Sequence, residues 1–128
     1  MKILVATDGS KNALRAVKYA AKLVDDLKSE STITLISVHD DVALRHAERF
    51  VGKKAVADYL RDLSEQDLAD SRKALDKAGV RHDMVIRTGN VGAEIAAAAA
   101  EGKFDLILMG SVAQRVMEFA KTPVLMVK

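Results

Sequence analysis

The sequence predicts a doubly wound α/β domain of three layers, a parallel sheet held between helices on both faces. Two observations carry this. Short apolar, β-branched runs recur along the chain and each gives way to a stretch of helical period, an alternation that implies parallel strands joined by crossover helices. The chain also opens KILVATDGS, where Ile3, Leu4 and Val5 form an apolar run that stops at the polar turn Asp8-Gly9-Ser10. That run is too short for a helix and suits a strand buried on both faces. In doubly wound sheets ligands sit outside the carboxyl ends of the strands, beside the switch in strand order. With the first of five strands in the centre, Thr7 and Asp8 point into that crevice.

After the turn, Ala13, Ala16, Val17, Ala20, Val24 and Leu27 recur with the period of an amphipathic helix, and Ser10 stands where an N-cap belongs. Lys28-Ser29-Glu30-Ser31 is a polar break. TITLISVH, residues 32–39, alternates and is β-branched, a second strand. Residues 41–54 are harder to place: Leu44, Ala47 and Val51 line one face of a short helix that Gly52 interrupts. A long helix is expected over 55–78, with Val56, Leu60, Leu63, Leu68, Leu75 and Ala78 as its apolar stripe and Gly79 as the C′ residue.

Residues 80–88 read as a third strand. Arg81, His82, Asp83 and Arg87 make it polar, which places it at a sheet edge. Asn90 caps an alanine-rich helix over 91–101, stopped by Gly102, and the alanines from 96 to 100 let its backbone approach the sheet closely. FDLILM, residues 104–109, is apolar enough for a central strand. Gly110-Ser111 turns into a short helix over 112–120, and Pro123 opens the last strand, where a proline is well placed.

At 128 residues the chain is expected to be one domain, 1–128, and with 49% hydrophobic and 30% charged residues its composition is that of a globular protein. A net charge of +2 and 4% aromatics give no basic stripe and no stacking platform, so no case for a nucleic-acid partner. Cysteine is absent, which removes disulfides, thiolate zinc sites and cysteine nucleophiles together and fits a reducing compartment. The opening apolar run is broken by Thr7-Asp8 and does not read as a secretory leader. No apolar stretch approaches the roughly 20 residues that span a bilayer. The expectation is a cytoplasmic protein with no membrane partner.

Few residues carry recognisable chemistry. His39, Asp40 and Asp41 resemble a metal cluster, but adjacent acids point apart and no second ligand lies at the right spacing, so a strand-end histidine with solvated acids is the better reading. His46 and His82 read as isolated surface residues. Ser10 and Ser111 have no paired base at a recognisable spacing, which leaves a serine nucleophile unsupported. Met84, Met109, Met117 and Met126 fall at apolar positions and read as core filler. A phosphoacceptor receiver domain would need an acidic pair after the first strand, an aspartate ending a central strand and a lysine after the last. Asp8 has no acidic neighbour, Gly110 ends FDLILM, and Lys121 precedes its strand. No Walker-type G-x4-G-K-[ST] loop occurs either. Asp8 can serve as a turn former that bonds its own backbone two residues on, or as a ligand-crevice residue.

KILVATDGS with its helix, ITLISVHD, TGNVGAEIAAAA, FDLILMGS and TPVLMVK, in this order over nearly the whole chain, together resemble the universal stress protein family. The resemblance implies a Rossmann-like sheet of order 3-2-1-4-5, a homodimer, and a role in surviving stress or growth arrest. It also implies that the acid closing the first strand, here Asp8 beside Thr7, lies near an adenosine, and that Val38 lends backbone atoms to adenine. The family's nucleotide-binding branch holds the phosphates with a loop G-x2-G-x9-G-[ST] between the fourth strand and the last helix.

The sequence departs from the family at that loop. Met109-Gly110-Ser111-Val112 runs straight from strand to helix, and Gly110 with Ser111 and Val112 is all that remains of the phosphate site. A helix N-terminus stabilises an anion by about 0.3–1 kcal/mol, up to about 2 when partly buried, whereas micromolar affinity requires about 8. The expectation is therefore a non-enzymatic dimeric protein that acts through protein contacts, with no cofactor or weakly bound ATP or AMP. The alternative is an ATP-binding switch or slow ATPase using Asp8, Val38 and the Gly110-Ser111 turn. The dimer is expected through an exposed edge strand, TPVLMV, from Thr122 to Val127, unless the 41–54 segment covers it or the edge is simply short enough to tolerate.

Overall fold

Five parallel strands lie in the order β3-β2-β1-β4-β5 in the computed structural model, which describes residues 1–27, 30–110 and 113–128. In chain order the elements are β1 (Lys2–Ala6), α1 (Lys11–Asp26), β2 (Thr32–His39), α2 (Asp41–Val51), α3 (Lys53–Lys77), β3 (His82–Thr88), α4 (Val91–Glu101), β4 (Leu106–Met109), α5 (Ala113–Met117) and β5 (Val124–Met126). β1 is central: Val5 pairs with Leu35 of β2 on one side and with Leu108 of β4 on the other. Its Ile3, Leu4 and Val5 are completely buried, as a strand covered on both faces requires.

The pleat sorts the strands into two cores. Ile3, Val5, Ile33, Leu35 and Leu108 face α1 and α3, where Ala16, Val17, Leu68 and Leu75 complete one cluster. Leu4, Ala6, Ile36, Ile107 and Met109 face the opposite way, against Ile95, Ala98 and Ala99 of α4 and Val116 of α5. Ala98 and Ala99 are the part of the alanine run that lets α4 lie close on the sheet.

The turn chemistry expected from the sequence is present at several joints. Ser10 accepts from the Ala13 N–H at 3.1 Å and Asn90 from the Ala93 N–H at 3.0 Å, each capping its helix. At the end of α3, Gly79 takes φ +71°, and the Val80 N–H reaches back to the Leu75 carbonyl at 2.9 Å, the hydrogen bond that closes a helix through a left-handed residue.

Elsewhere the structure corrects the sequence reading. The 41–54 segment is helical over α2: the Asp40 side chain accepts from the Val42 N–H at 2.9 Å, and Gly52 at φ +87° separates α2 from α3. The stripe of α3 passes through Ser64 and Ser71, both buried, while Ala78 is exposed as its C-cap. Phe104 and Asp105 stand outside β4, because the Phe104 N–H bonds the Ala99 carbonyl at 2.9 Å and so belongs to the end of α4. There the left-handed residue is Lys103, not Gly102; glycine is needed at 102 because a side chain would overlap the Phe104 ring. The short helix expected over 112–120 is described only over Ala113–Met117. Of the four methionines read as core, only Met109 is buried. Met84 and Met126 sit on the two edge strands and Met117 on the outer side of α5, all exposed. His82 is no surface residue: its ring is almost covered and Nδ1 lies 3.1 Å from the Val80 carbonyl oxygen.

Candidate functional site

β1 delivers the chain to the carboxyl end of the sheet, where Thr7 is still tied to β2 by its N–H on the Ile36 carbonyl at 3.0 Å. The pleat then sends Thr7 and Asp8 to opposite faces. The Thr7 hydroxyl is buried on the α3 side, 3.3 Å from Ser71 Oγ, and also accepts from the Gly9 N–H at 3.3 Å. Asp8 forms the turn that its residue type allows: Oδ1 accepts from the Ser10 N–H at 2.9 Å. Gly9, at φ +83°, must be glycine twice over, since a Cβ there would stand 2.9 Å from Asp67 Oδ1.

On the α4–α5 side of the same strand ends lies a cavity of ≈ 200 Å³. Ala6, Ile36, Val38 and Met109 line it from the sheet, and Ile95 and Val116 from the helices. Asp8, Ser10 and Arg115 add polar groups, and Thr7 and Gly110 complete the contour at the ends of β1 and β4. Four of the residues singled out in the sequence, Thr7, Asp8, Val38 and Gly110, are therefore brought to one cavity. Ser111 and Val112 lie outside the described residues. A wider hollow of ≈ 370 Å³ lies between α2 and α3 beside Thr88, away from the ends of the central strands.

Two contacts shape this cavity. Gly110 is pressed against α1, where a Cβ would stand 2.8 Å from the Asn12 carbonyl oxygen. Gly92 lets the start of α4 approach α5, its missing Cβ 2.5 Å from the Arg115 carbonyl oxygen. Sequence reasoning passed over Gly92, although a glycine two residues past an N-cap is a poor helix former and so a signal of close packing. It also passed over Arg115, whose direction depends on how α5 lies against α4.

On the α3 side, His39 Nε2 is 3.5 Å from Asp67 Oδ2 and 3.3 Å from Ser37 Oγ. Burial holds the Asp67 carboxyl above its ordinary range; His39 opposes the rise and Asp8 adds to it. Serine and acid converge here on the same ring nitrogen. A nucleophilic triad needs them on opposite nitrogens, so this group ties α3 to β2 and the first turn.

A parallel sheet with its reversal point at β1, and a small apolar crevice there edged by an acid and a base, is the arrangement in which doubly wound α/β domains hold their ligands. The family model for the universal stress protein family matches residues 1–128, and the chain belongs to that family. Universal stress protein MJ0531 of Methanocaldococcus jannaschii is 29% identical over 141 aligned residues, covering 99% of this chain and 81% of that protein. Among solved structures, hypothetical protein MJ0577 superposes with a TM-score of 0.82 at 25% identity, over 99% of this chain and 94% of that one. The universal stress protein from Archaeoglobus fulgidus in complex with dAMP shares the fold with a TM-score of 0.73 at 22% identity, over 100% of this chain and 98% of that one. Among the described residues no helix is long and apolar enough to cross a membrane.

Proposed function

We propose that this chain is a homodimeric stress-response protein that acts through protein contacts, without catalysis of its own, and that its crevice holds an adenine nucleotide only weakly. The residues proposed to line the nucleotide are Thr7, Asp8, Val38, Gly110, Ser111 and Val112. One observation carries the reading: Gly110, at the end of β4, is held against Asn12, and only two residues separate it from Ala113 at the start of α5. A spacing of two residues is short for the glycine-rich loops whose backbone N–H groups cradle phosphate chains in α/β folds. The shared nitrogen of the His39 group supports the absence of acyl-transfer chemistry.

The second reading is an ATP-binding switch or slow ATPase. It is favoured by the cavity at the strand ends and by the Archaeoglobus relative solved with dAMP. Isothermal titration with Mg-ATP separates the two. The expected result is binding weaker than about 100 μM, and a dissociation constant at or below about 10 μM, near −7 kcal/mol, overturns the proposal.

A further inference from the structure

We infer that the crevice holds a nucleoside monophosphate at least as tightly as the triphosphate, with Arg115 as the residue that holds the single phosphate. The inference rests on the proposal that the crevice takes an adenine nucleotide, and it adds which one and why.

Size comes first. Sites that bury a drug-sized ligand run to about 300–1,000 Å³, and ≈ 200 Å³ has room for a base and its sugar with the rest outside. The walls suit that part of the molecule. Val38 and Val91, half-buried on the cavity wall, offer apolar surface to a ring. Asp8 spends Oδ1 on the Ser10 N–H, leaving Oδ2 to accept from a sugar hydroxyl.

Charge then decides how many phosphates on the sugar are held. Arg115, an exposed residue, is the one basic residue lining the cavity among the described residues, and among them it forms no ion pair. Its guanidinium can take one phosphate through two parallel N–H bonds. Gly92 fixes the backbone from which it extends, since the Arg115 carbonyl occupies the space of a side chain at 92. Each phosphate beyond the first adds negative charge beside Asp8 with no second cation among the described lining residues and only two residues between Gly110 and α5. Such charge gains only solvent-screened attraction to Arg115 and meets repulsion from Asp8. A triphosphate therefore gains nothing over a monophosphate here.

The test is an NMR titration of the ¹⁵N-labelled protein with adenosine, AMP and Mg-ATP at fixed ionic strength, for the wild type, Arg115→Ala, Arg115→Gln and Arg115→Lys. In the wild type AMP should bind about threefold or more tighter than adenosine, the scale of one charge-assisted pair at a solvent-open site, and ATP no tighter than AMP. Arg115→Ala and Arg115→Gln should bring AMP level with adenosine while adenosine binds as before, which also shows that both variants are folded. Arg115→Lys should restore part of the difference. An AMP-to-adenosine ratio untouched by these substitutions, or ATP measurably tighter than AMP, overturns the inference and leaves the crevice reading standing. If none of the three ligands shifts resonances around the crevice, the crevice reading itself falls and this inference with it.

Discussion

A Cβ atom placed on Gly110 would stand 2.8 Å from the carbonyl oxygen of Asn12 and 2.9 Å from its carbonyl carbon. The neighbour is helix backbone from the first turn of α1, which cannot swing aside as a side chain can. This contact joins the end of β4 to the start of α1 and forms one wall of the crevice. Gly110→Ala should therefore destabilise the protein by about 1–3 kcal/mol, the usual cost of forcing extra atoms into a packed site. Urea unfolding measures it, and an unchanged midpoint would show that the joint is looser than described.

Ser64 makes the opposite prediction. Its side chain is fully buried in α3, and its hydroxyl has no hydrogen-bond partner among the described residues. A buried hydroxyl without a partner costs about 1–3 kcal/mol, and alanine is the better helix former. Ser64→Ala should leave stability unchanged or raise it by about 1 kcal/mol. A loss of more than about 1 kcal/mol in chemical denaturation would mean that the hydroxyl is bonded after all.

Asp67 gives a pH signature whose sign can be worked out. Burial raises its carboxyl above the ordinary value of 3.8, His39 lowers it and Asp8 raises it. The ¹³C resonance of this carboxyl should accordingly titrate with a midpoint above 3.8. His39→Gln should move that midpoint up and Asp8→Asn should move it down. Because the folded value exceeds the unfolded one, the folded chain holds the extra proton between the two. The contribution of Asp67 to stability is thus complete below the unfolded value and is lost as pH rises through the folded one. A midpoint at or below 3.8 removes this account of the His39–Asp67 contact.

The proposed dimer places its test on β5. Leu125 and Met126 of this edge strand are exposed, as are Met117 and Phe119, and α2 packs against α3. An apolar edge of this kind is normally blunted or paired, and two copies across a two-fold axis can pair it with itself. Leu125→Lys would set two ammonium groups near each other across that axis. Sedimentation should show the wild type at twice 13.9 kDa and the variant at 13.9 kDa. A wild type that sediments at 13.9 kDa at tens of micromolar ends the dimer proposal and weakens the proposal that contacts are its function.

The order of strands and helices was legible in the sequence because it rests on periodicity and on local cap chemistry. Ile3, Leu4 and Val5 declare a buried strand, Ser10 and Asn90 each sit one residue before a helix and bond within it, and Gly79 ends one by taking a left-handed φ. The polar third strand at the sheet edge came from the same reasoning. The position of the crevice was legible too, since the end of a central strand in such a sheet must open on it, but the expectation that Thr7 and Asp8 both point into it does not hold for the Thr7 side chain. What only the tertiary structure decided is which way groups on separate elements turn toward one another. The pleat sends the Thr7 hydroxyl to Ser71 and leaves Asp8 on the cavity side. The approach of α4 to α5 at Gly92 brings Arg115 to the crevice, and Asp67 arrives from 59 positions away to meet Asp8 and Gly9. Ser64 and Ser71 in the stripe of α3, and three exposed methionines, defeated a reading by residue type. Burial is fixed by which faces the packed layers cover, and a pattern along one helix or strand holds no record of what lies across from it.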